Sequence, residues 1–254
     1  MQDDYQRQTF DFERDHWWYR GRRKIILSMV DRHLPPSDRR RLLEIGCGAG
    51  TTLHALRNYG EAIGVDPCPE AIDVARRRAG CDVRRGALPD DLPDDLGRFD
   101  AVCLFDVIEH LDDDARGLEA LLPLLAPNAR VFITVPAQPW LFGVHDELNR
   151  HRRRYTARSL RAAMTAAGLQ PIETTHCNTL LSPALIPAIL WRNHRRAGHH
   201  FEVRSRLDPL LERTFAFERH LLRRVRLPFG LSLLAVARAA RPTLEPSAGA
   251  IRRS

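Results

Sequence analysis

The chain has 254 residues, 44% hydrophobic and 28% charged, a balance that builds a folded core and excludes a disordered or collagen-like polymer. Its formal charge of +7 and pI near 9.7 invite an anionic partner, yet Lys24 is the only lysine, so the arginine excess reads as compositional bias as much as function. Cysteines 47, 68, 81, 103 and 177 are scattered, with no Cys-x-x-Cys or zinc spacing, which fits a reducing compartment and no structural metal.

The chain opens on a polar stretch, MQDDYQRQTFDFERD, without the apolar core of a secretory leader, and no later apolar run is long enough to span a bilayer. The expectation is a protein kept on the cytoplasmic side. Next, His16-Trp-Trp-Tyr-Arg-Gly-Arg-Arg23 leads into a helical pattern through Ile25, Ile26, Met29 and Val30. The aromatic cluster either pins that helix to the domain or closes over a ligand. Pro35-Pro36-Ser37-Asp38 ends it. A short apolar strand, Leu42-Leu-Glu-Ile45, then runs into Gly46-x-Gly48-x-Gly50 and a helix over Thr51–Asn58. Glycine at such a turn admits positive φ and lets a ligand approach the backbone, and the helix N-terminus offers free amides. The next strand, Glu61–Val65, stops at Asp66, where a carboxylate can meet ribose hydroxyls. Together these segments read as a nucleoside-binding βαβ unit.

A dinucleotide site would read Gly-x-Gly-x-x-Gly, and here the third glycine comes one residue early. The pattern Glu44-x-Gly46-x-Gly48-x-Gly50 followed by Asp66 resembles the first two motifs of the class I S-adenosylmethionine (SAM) methyltransferases. The resemblance implies that Glu44, Gly46, Cys47, Gly48 and Gly50 surround the methionyl part of SAM, with Asp66 and the adjoining Pro67 at the ribose. The HWWY-x-GRR segment is similar to a lid helix in a bacterial subgroup of this family, which implies cofactor roles for Trp18 and, toward the SAM carboxylate, Arg22. After a helix over Pro69–Arg78 and a third strand near Cys81–Val83, Ala87 and Leu88 stand where many members carry an adenine-binding acid. That acid is missing, so adenine recognition would rest on backbone and packing. The run Phe99-Asp-Ala-Val-Cys-Leu-Phe-Asp-Val-Ile-Glu-His-Leu111 resembles the fourth motif, which implies that Phe105, Asp106, Val107 and His110 lie beside the cofactor.

A helix over Asp114–Leu125 and a turn at Ala126–Ala129 precede the fifth strand, Arg130–Val135. The polar loop after it, with His145, Asp146, Glu147, His151, Arg153, Arg154 and Tyr155, resembles an HDE-x-x-x-H-x-RRY loop of the same subgroup, which often has serine where Gly143 stands. His145 with Asp146, or His151, can serve as a general base, and Arg154 and Tyr155 complete the catalytic candidates. A salt-bridged structural loop is the competing reading. A helix over Thr156–Gly168 and a sixth strand over Gln170–Cys177 follow. Residues 178–227 then insert two helical stretches, Leu180–Trp191 and Leu207–Val225, flanking a basic segment over Arg192–His200, before strand seven within Leu227–Ala237.

The resemblance implies an α/β, Rossmann-like sheet of seven strands in the order 3-2-1-4-5-7-6, strand seven antiparallel. An N-terminal lid helix occupies 1–35, the SAM-binding domain 36–240 with a helical cap at 178–227, and a disordered tail 241–254. The implied activity is SAM-dependent methyl transfer to a small-molecule or lipid-linked acceptor. A non-catalytic SAM binder and an RNA methyltransferase are the alternatives, although no RNA-binding module is visible. The apolar helix beside arginines allows peripheral contact with the inner membrane face. Monomer and homodimer both remain open.

Overall fold

The computed structural model describes residues 14–34, 37, 39–196 and 206–240. Most of the polar N-terminal stretch (1–13), the end of the basic segment at 197–200 and the tail 241–254 lie outside them.

Helix α1 (Trp17–His33) starts at His16, whose ring accepts a hydrogen bond from the Trp18 amide, and ends in Arg32 and His33, basic residues that suit a helix C-terminus. Strand β1 (Arg41–Ile45) alternates its faces residue by residue: Leu42 joins one apolar cluster and Leu43 the other. Helix α2 (Thr51–Leu56), strand β2 (Glu61–Asp66), helix α3 (Pro69–Ala79) and strand β3 (Val83–Arg85) complete the first half. Strand β4 (Phe99–Phe105) leads to a 3-10 turn over Ile108–His110 and helix α4 (Asp114–Glu119). That helix is shorter than its sequence pattern suggests, because Pro123 sits in a separate 3-10 turn over Leu122–Leu124. Strand β5 (Leu125–Pro136) starts earlier than expected and absorbs the Ala126–Ala129 turn, where Asn128 takes φ 65°.

Helix α5 (Val144–Leu148), helix α6 (Ala157–Ala166), strand β6 (Leu169–Cys177), helix α7 (Ser182–Arg195), helix α8 (Asp208–Leu222) and strand β7 (Ser232–Ala239) follow. Helix α6 is capped by Thr156, whose hydroxyl accepts from the Ser159 amide at 3.0 Å. The sheet order is β3-β2-β1-β4-β5-β7-β6, parallel except for β7, which runs antiparallel to both β5 and β6. This is the Rossmann-like order that the motifs imply.

Two apolar layers sandwich the sheet. Leu43, Phe99, Val131 and Leu160 fill one, and Ile26, Leu42, Phe132 and Phe215 the other. The second layer has an origin the sequence did not announce. Helix α8 of the insertion lies along α1, and Gly21 lets them approach: a Cβ there would stand 2.9 Å from the Phe215 ring. Trp17 and Trp18 pack on Phe215 with ring centroids 6.4 and 5.1 Å away. Lys24 and Arg20 reach Glu212 at 2.5 and 3.0 Å. The C-terminal turn of α1 is fastened to β6 through Glu173, which accepts from Arg32 and pairs with His33, both at 2.8 Å. The aromatic cluster therefore pins the helix to the domain, and the same helix start also borders the main cavity.

Candidate active site

Ligands of open parallel sheets gather where strands end at their carboxyl edge, and a cavity of about 670 Å³ opens there. That falls in the size range of pockets for drug-sized ligands, roughly 300–1,000 Å³. Its floor is the turn after β1. The Gly46 and Cys47 amides both donate to the Val65 carbonyl, at 2.8 and 3.2 Å. The chain then rises through Gly46, Gly48 and Gly50 at φ 71°, 51° and 74°, the left-handed region that favours glycine. Glu44, Gly46, Cys47 and Gly48 line the cavity. Gly50 does not. Its missing Cβ instead leaves room for Ala75 of α3, 2.9 Å from where it would stand.

Asp66 sits at the end of β2 with both carboxylate oxygens on backbone amides, Gly48 at 2.8 Å and Cys68 at 2.9 Å. Burial pushes its carboxyl above the ordinary range, and those two amides pull the other way. It braces the glycine turn from behind, outside the cavity lining. Pro67 and Val107 are also outside the lining, and Val107 packs against Gly46. Ala87 forms an isolated bridge with Asp91, and Leu88 is buried in the core.

One wall is built from α1 and the ends of β4 and β5. Trp18 and Arg22 line it. Arg22 is committed within the protein: it pairs with Asp106 at 2.7 Å and donates to Thr134 at 2.5 Å, while Thr134 donates to Asp106 at 3.0 Å. Thr134 did not stand out in the sequence. Phe105 and His110 complete this side.

The adjoining wall is the polar loop, organised around Asp146. This carboxylate is fully buried, yet accepts from Arg154 Nε at 2.8 and 2.9 Å, from the Gly143 amide at 3.0 Å, and holds His151 Nδ1 at 2.9 Å. Burial alone would raise its pKa, but the His151, Arg154 and Gly143 contacts outweigh it and hold the group down at about 2. With Nδ1 fixed, His151 keeps Nε2 for other work. His151, Arg154 and His145 line the cavity; His145 stands at the exposed rim. Tyr155 does not reach it. Its ring is buried in the core, and its hydroxyl donates to Asp114 at 2.7 Å and Ile108 O at 3.3 Å, so it ties the loop to the 3-10 turn.

Helix α7 closes the remaining side with Leu185, Ile189, Arg192 and Asn193. Asn193 accepts from the Val144 amide at 3.2 Å. It sits so near the loop that a Cβ on Gly143 would come within 2.2 Å of its side chain. Glycine in place of the subgroup's frequent serine is thus matched to an asparagine fifty positions on. Sequence reading also passed over Glu109. It is fully buried, borders the cavity, and neither carboxylate oxygen has a hydrogen-bond partner among the described residues. Burial, and after it the charge of Asp106, drives its carboxyl well above the ordinary range.

A family model described as a methyltransferase domain matches residues 17–174. Among curated proteins, the chain is 26% identical over 202 residues to a ubiquinone biosynthesis O-methyltransferase of Xanthomonas axonopodis, covering 70% of this chain and 79% of that protein. It is 32% identical over 116 residues to one of Xylella fastidiosa, covering 43% of this chain and 47% of the relative, so here it spans about half the relative's length. Among solved structures, the N-methyltransferase NodS of Bradyrhizobium japonicum, in complex with S-adenosylhomocysteine, aligns with TM-score 0.55 at 16% identity, over 90% of this chain and 91% of that one. A TehB-like SAM-dependent methyltransferase of Corynebacterium glutamicum aligns with TM-score 0.53 at 16% identity, over 85% and 87%.

Proposed function

The chain belongs to the class I SAM-dependent methyltransferases, and from that premise we propose that it methylates a hydroxyl group on an acceptor with an apolar body. SAM is its cofactor, and the residues present fit it: a glycine turn in left-handed backbone forms the floor of a cavity large enough for cofactor and acceptor together. SAM supplies an electrophilic methyl group on a sulfonium. The protein's task is to hold a nucleophile in line with it, exclude water and deal with the acceptor's proton.

The observation that carries the reading is the Asp146–His151 pair at the cavity, its carboxylate fully buried. A hydroxyl placed against Nε2 loses its proton more easily, and Arg154 keeps Asp146 charged and in position. In the transfer, the acceptor oxygen bonds to the methyl carbon as the carbon–sulfur bond breaks, its electron pair remaining on sulfur. The relatives' designation as O-methyltransferases supports an oxygen acceptor.

The apolar body is supported by the lining residues Leu141, Leu148, Leu185 and Ile189. A lipid-linked acceptor is favoured by the outer surface of the same segments, where Trp140, Leu190 and Trp191 are 55%, 45% and 59% exposed. The test is His151→Ala assayed with labelled SAM and a panel of hydroxylated aromatic and isoprenoid acceptors. Turnover should fall about 10²- to 10⁴-fold with SAM affinity unchanged. Undiminished turnover would remove His151 from the reaction.

A further inference from the structure

We propose that Glu109, His110 and His151 form a binding site for one divalent first-row transition cation, Zn²⁺ or Mn²⁺, at the acceptor end of the cavity. One donor atom from each lies within 4.8 Å of the other two. A cation bound at about 2.1 Å draws such a set inward by side-chain rotation; His110, though exposed, is held by the backbone of Asn149 and Arg150, contacts that a turn toward the cation would exchange.

Three further features separate this group from a chance cluster. First, Glu109 is fully buried, with both oxygens unpartnered among the described residues. A carboxyl in that state is costly unless something satisfies it, and among the described residues no arginine or lysine forms an ion pair with it, Arg22 being taken by Asp106 and Arg154 by Asp146. A cation supplies the missing partner. Second, His151 is already oriented as a ligand. Its Nδ1 is held by Asp146, the carboxylate–imidazole arrangement that fixes the ring and directs Nε2 to a metal. The His110 and His151 rings stand edge to face, centroids 4.8 Å apart, so both can direct a nitrogen to one point.

Third, the two ligand segments are stapled together, although they are some forty residues apart. The Arg152 amide donates to Glu109 O at 2.7 Å, Arg153 donates to Leu111 O at 3.1 Å, and Tyr155 donates to Ile108 O at 3.3 Å. The geometry is therefore built by the fold before any ligand arrives. Two imidazoles and one carboxylate select a first-row transition cation over Mg²⁺ or Ca²⁺, which prefer oxygen. All three residues line the cavity, so coordination positions remain open toward the acceptor.

The consequence for turnover rests on the methyl-transfer reading. With the cation in place, His151 Nε2 is a ligand rather than a proton acceptor. A cation held by Glu109, His110 and His151 would act as a Lewis acid on the acceptor hydroxyl, easing loss of its proton to solvent water and leaving the oxygen as the nucleophile for methyl transfer.

The experiment is calorimetric titration of the purified full chain with ZnCl₂, MnCl₂ and MgCl₂, and of the same samples with S-adenosylhomocysteine. Wild type should bind one equivalent of Zn²⁺ or Mn²⁺ and Mg²⁺ at least tenfold more weakly. Glu109→Gln and His110→Ala should each lose tenfold or more in cation affinity, a larger factor than any loss of S-adenosylhomocysteine binding. If Glu109→Gln disturbs the fold and loses both ligands, the exposed His110 variant carries the test. No transition-metal binding by wild type, equal binding by wild type and variants, or a preference for Mg²⁺ overturns the site. Failure of wild type to bind S-adenosylhomocysteine would instead sink the functional reading and leave the cation result standing.

Discussion

The two ends of the cavity are made in different ways. The cofactor end is backbone: three successive left-handed glycines, amides of Gly46 and Cys47 on Val65, and Asp66 spent on the amides of Gly48 and Cys68. The acceptor end is side chain: Asp146 gathers His151 and Arg154, Tyr155 anchors the loop to Ile108 and Asp114, and Asn193 of α7 fills the space that Gly143 leaves. A backbone site is written in consecutive residues and tolerates little change. A side-chain site is assembled from segments 106–110, 143–155 and 182–195, each of which can vary if the others compensate. On the proposed reading, one cavity joins a backbone-built cofactor end to a side-chain-built acceptor end.

The sharpest way to divide the two ends is Asp146→Ala. It strips the partner from Arg154 and His151 together, which costs about 3–5 kcal/mol for a broken buried pair and should cut methyl transfer by 10²-fold or more. Affinity for S-adenosylhomocysteine should hold within a few-fold in calorimetry; an equal loss would show that the ends are not separable. Gly46→Ala makes the reverse cut. Its Cβ would stand 2.6 Å from Val107 at a φ of 71°, a combined clash and strain of about 2–4 kcal/mol, read as a lower denaturant midpoint and at least tenfold weaker cofactor binding.

Gly143→Ser examines compensation within the acceptor end. Overpacking against Asn193 should cost about 1–3 kcal/mol, and adding Asn193→Ala should recover most of it. Additive losses in the double variant would break the proposed coupling. The smallest effect lies away from both ends. The His33 contact and, after it, Arg32 and Arg226 outweigh burial and hold the Glu173 carboxyl below its ordinary value, so its contribution exists above the unfolded-state pKa and disappears as pH falls through the lower folded one. Glu173→Gln should destabilise by about 1–2 kcal/mol at pH 7, and the gap to wild type should close as pH falls through the lowered folded-state pKa, measured by urea unfolding.

Much of this fold was legible because its signals are local. Alternating Leu42 and Leu43, the glycine spacing and the strand-ending Asp66 dictate a βαβ unit, and the family resemblance extends it to the observed strand order. What was hidden depends on distant partners. Nothing around Arg22 announces Asp106 and Thr134, nothing around Gly21 announces Phe215, and Glu109 reads as one acid among many until burial leaves its oxygens without partners. Tyr155 looked like its polar neighbours for the same reason. Only three-dimensional placement turns its hydroxyl toward Asp114 and away from the cavity.

The central claim, a SAM site carried by backbone geometry at the first strand's end, is tested most directly by isothermal titration with SAM and S-adenosylhomocysteine on wild type and Asp66→Ala. Saturable binding by wild type, weakened tenfold or more when the carboxylate that braces Gly48 is removed, is the predicted result. A folded wild-type protein that binds neither ligand, or a variant that binds both as tightly, would contradict it.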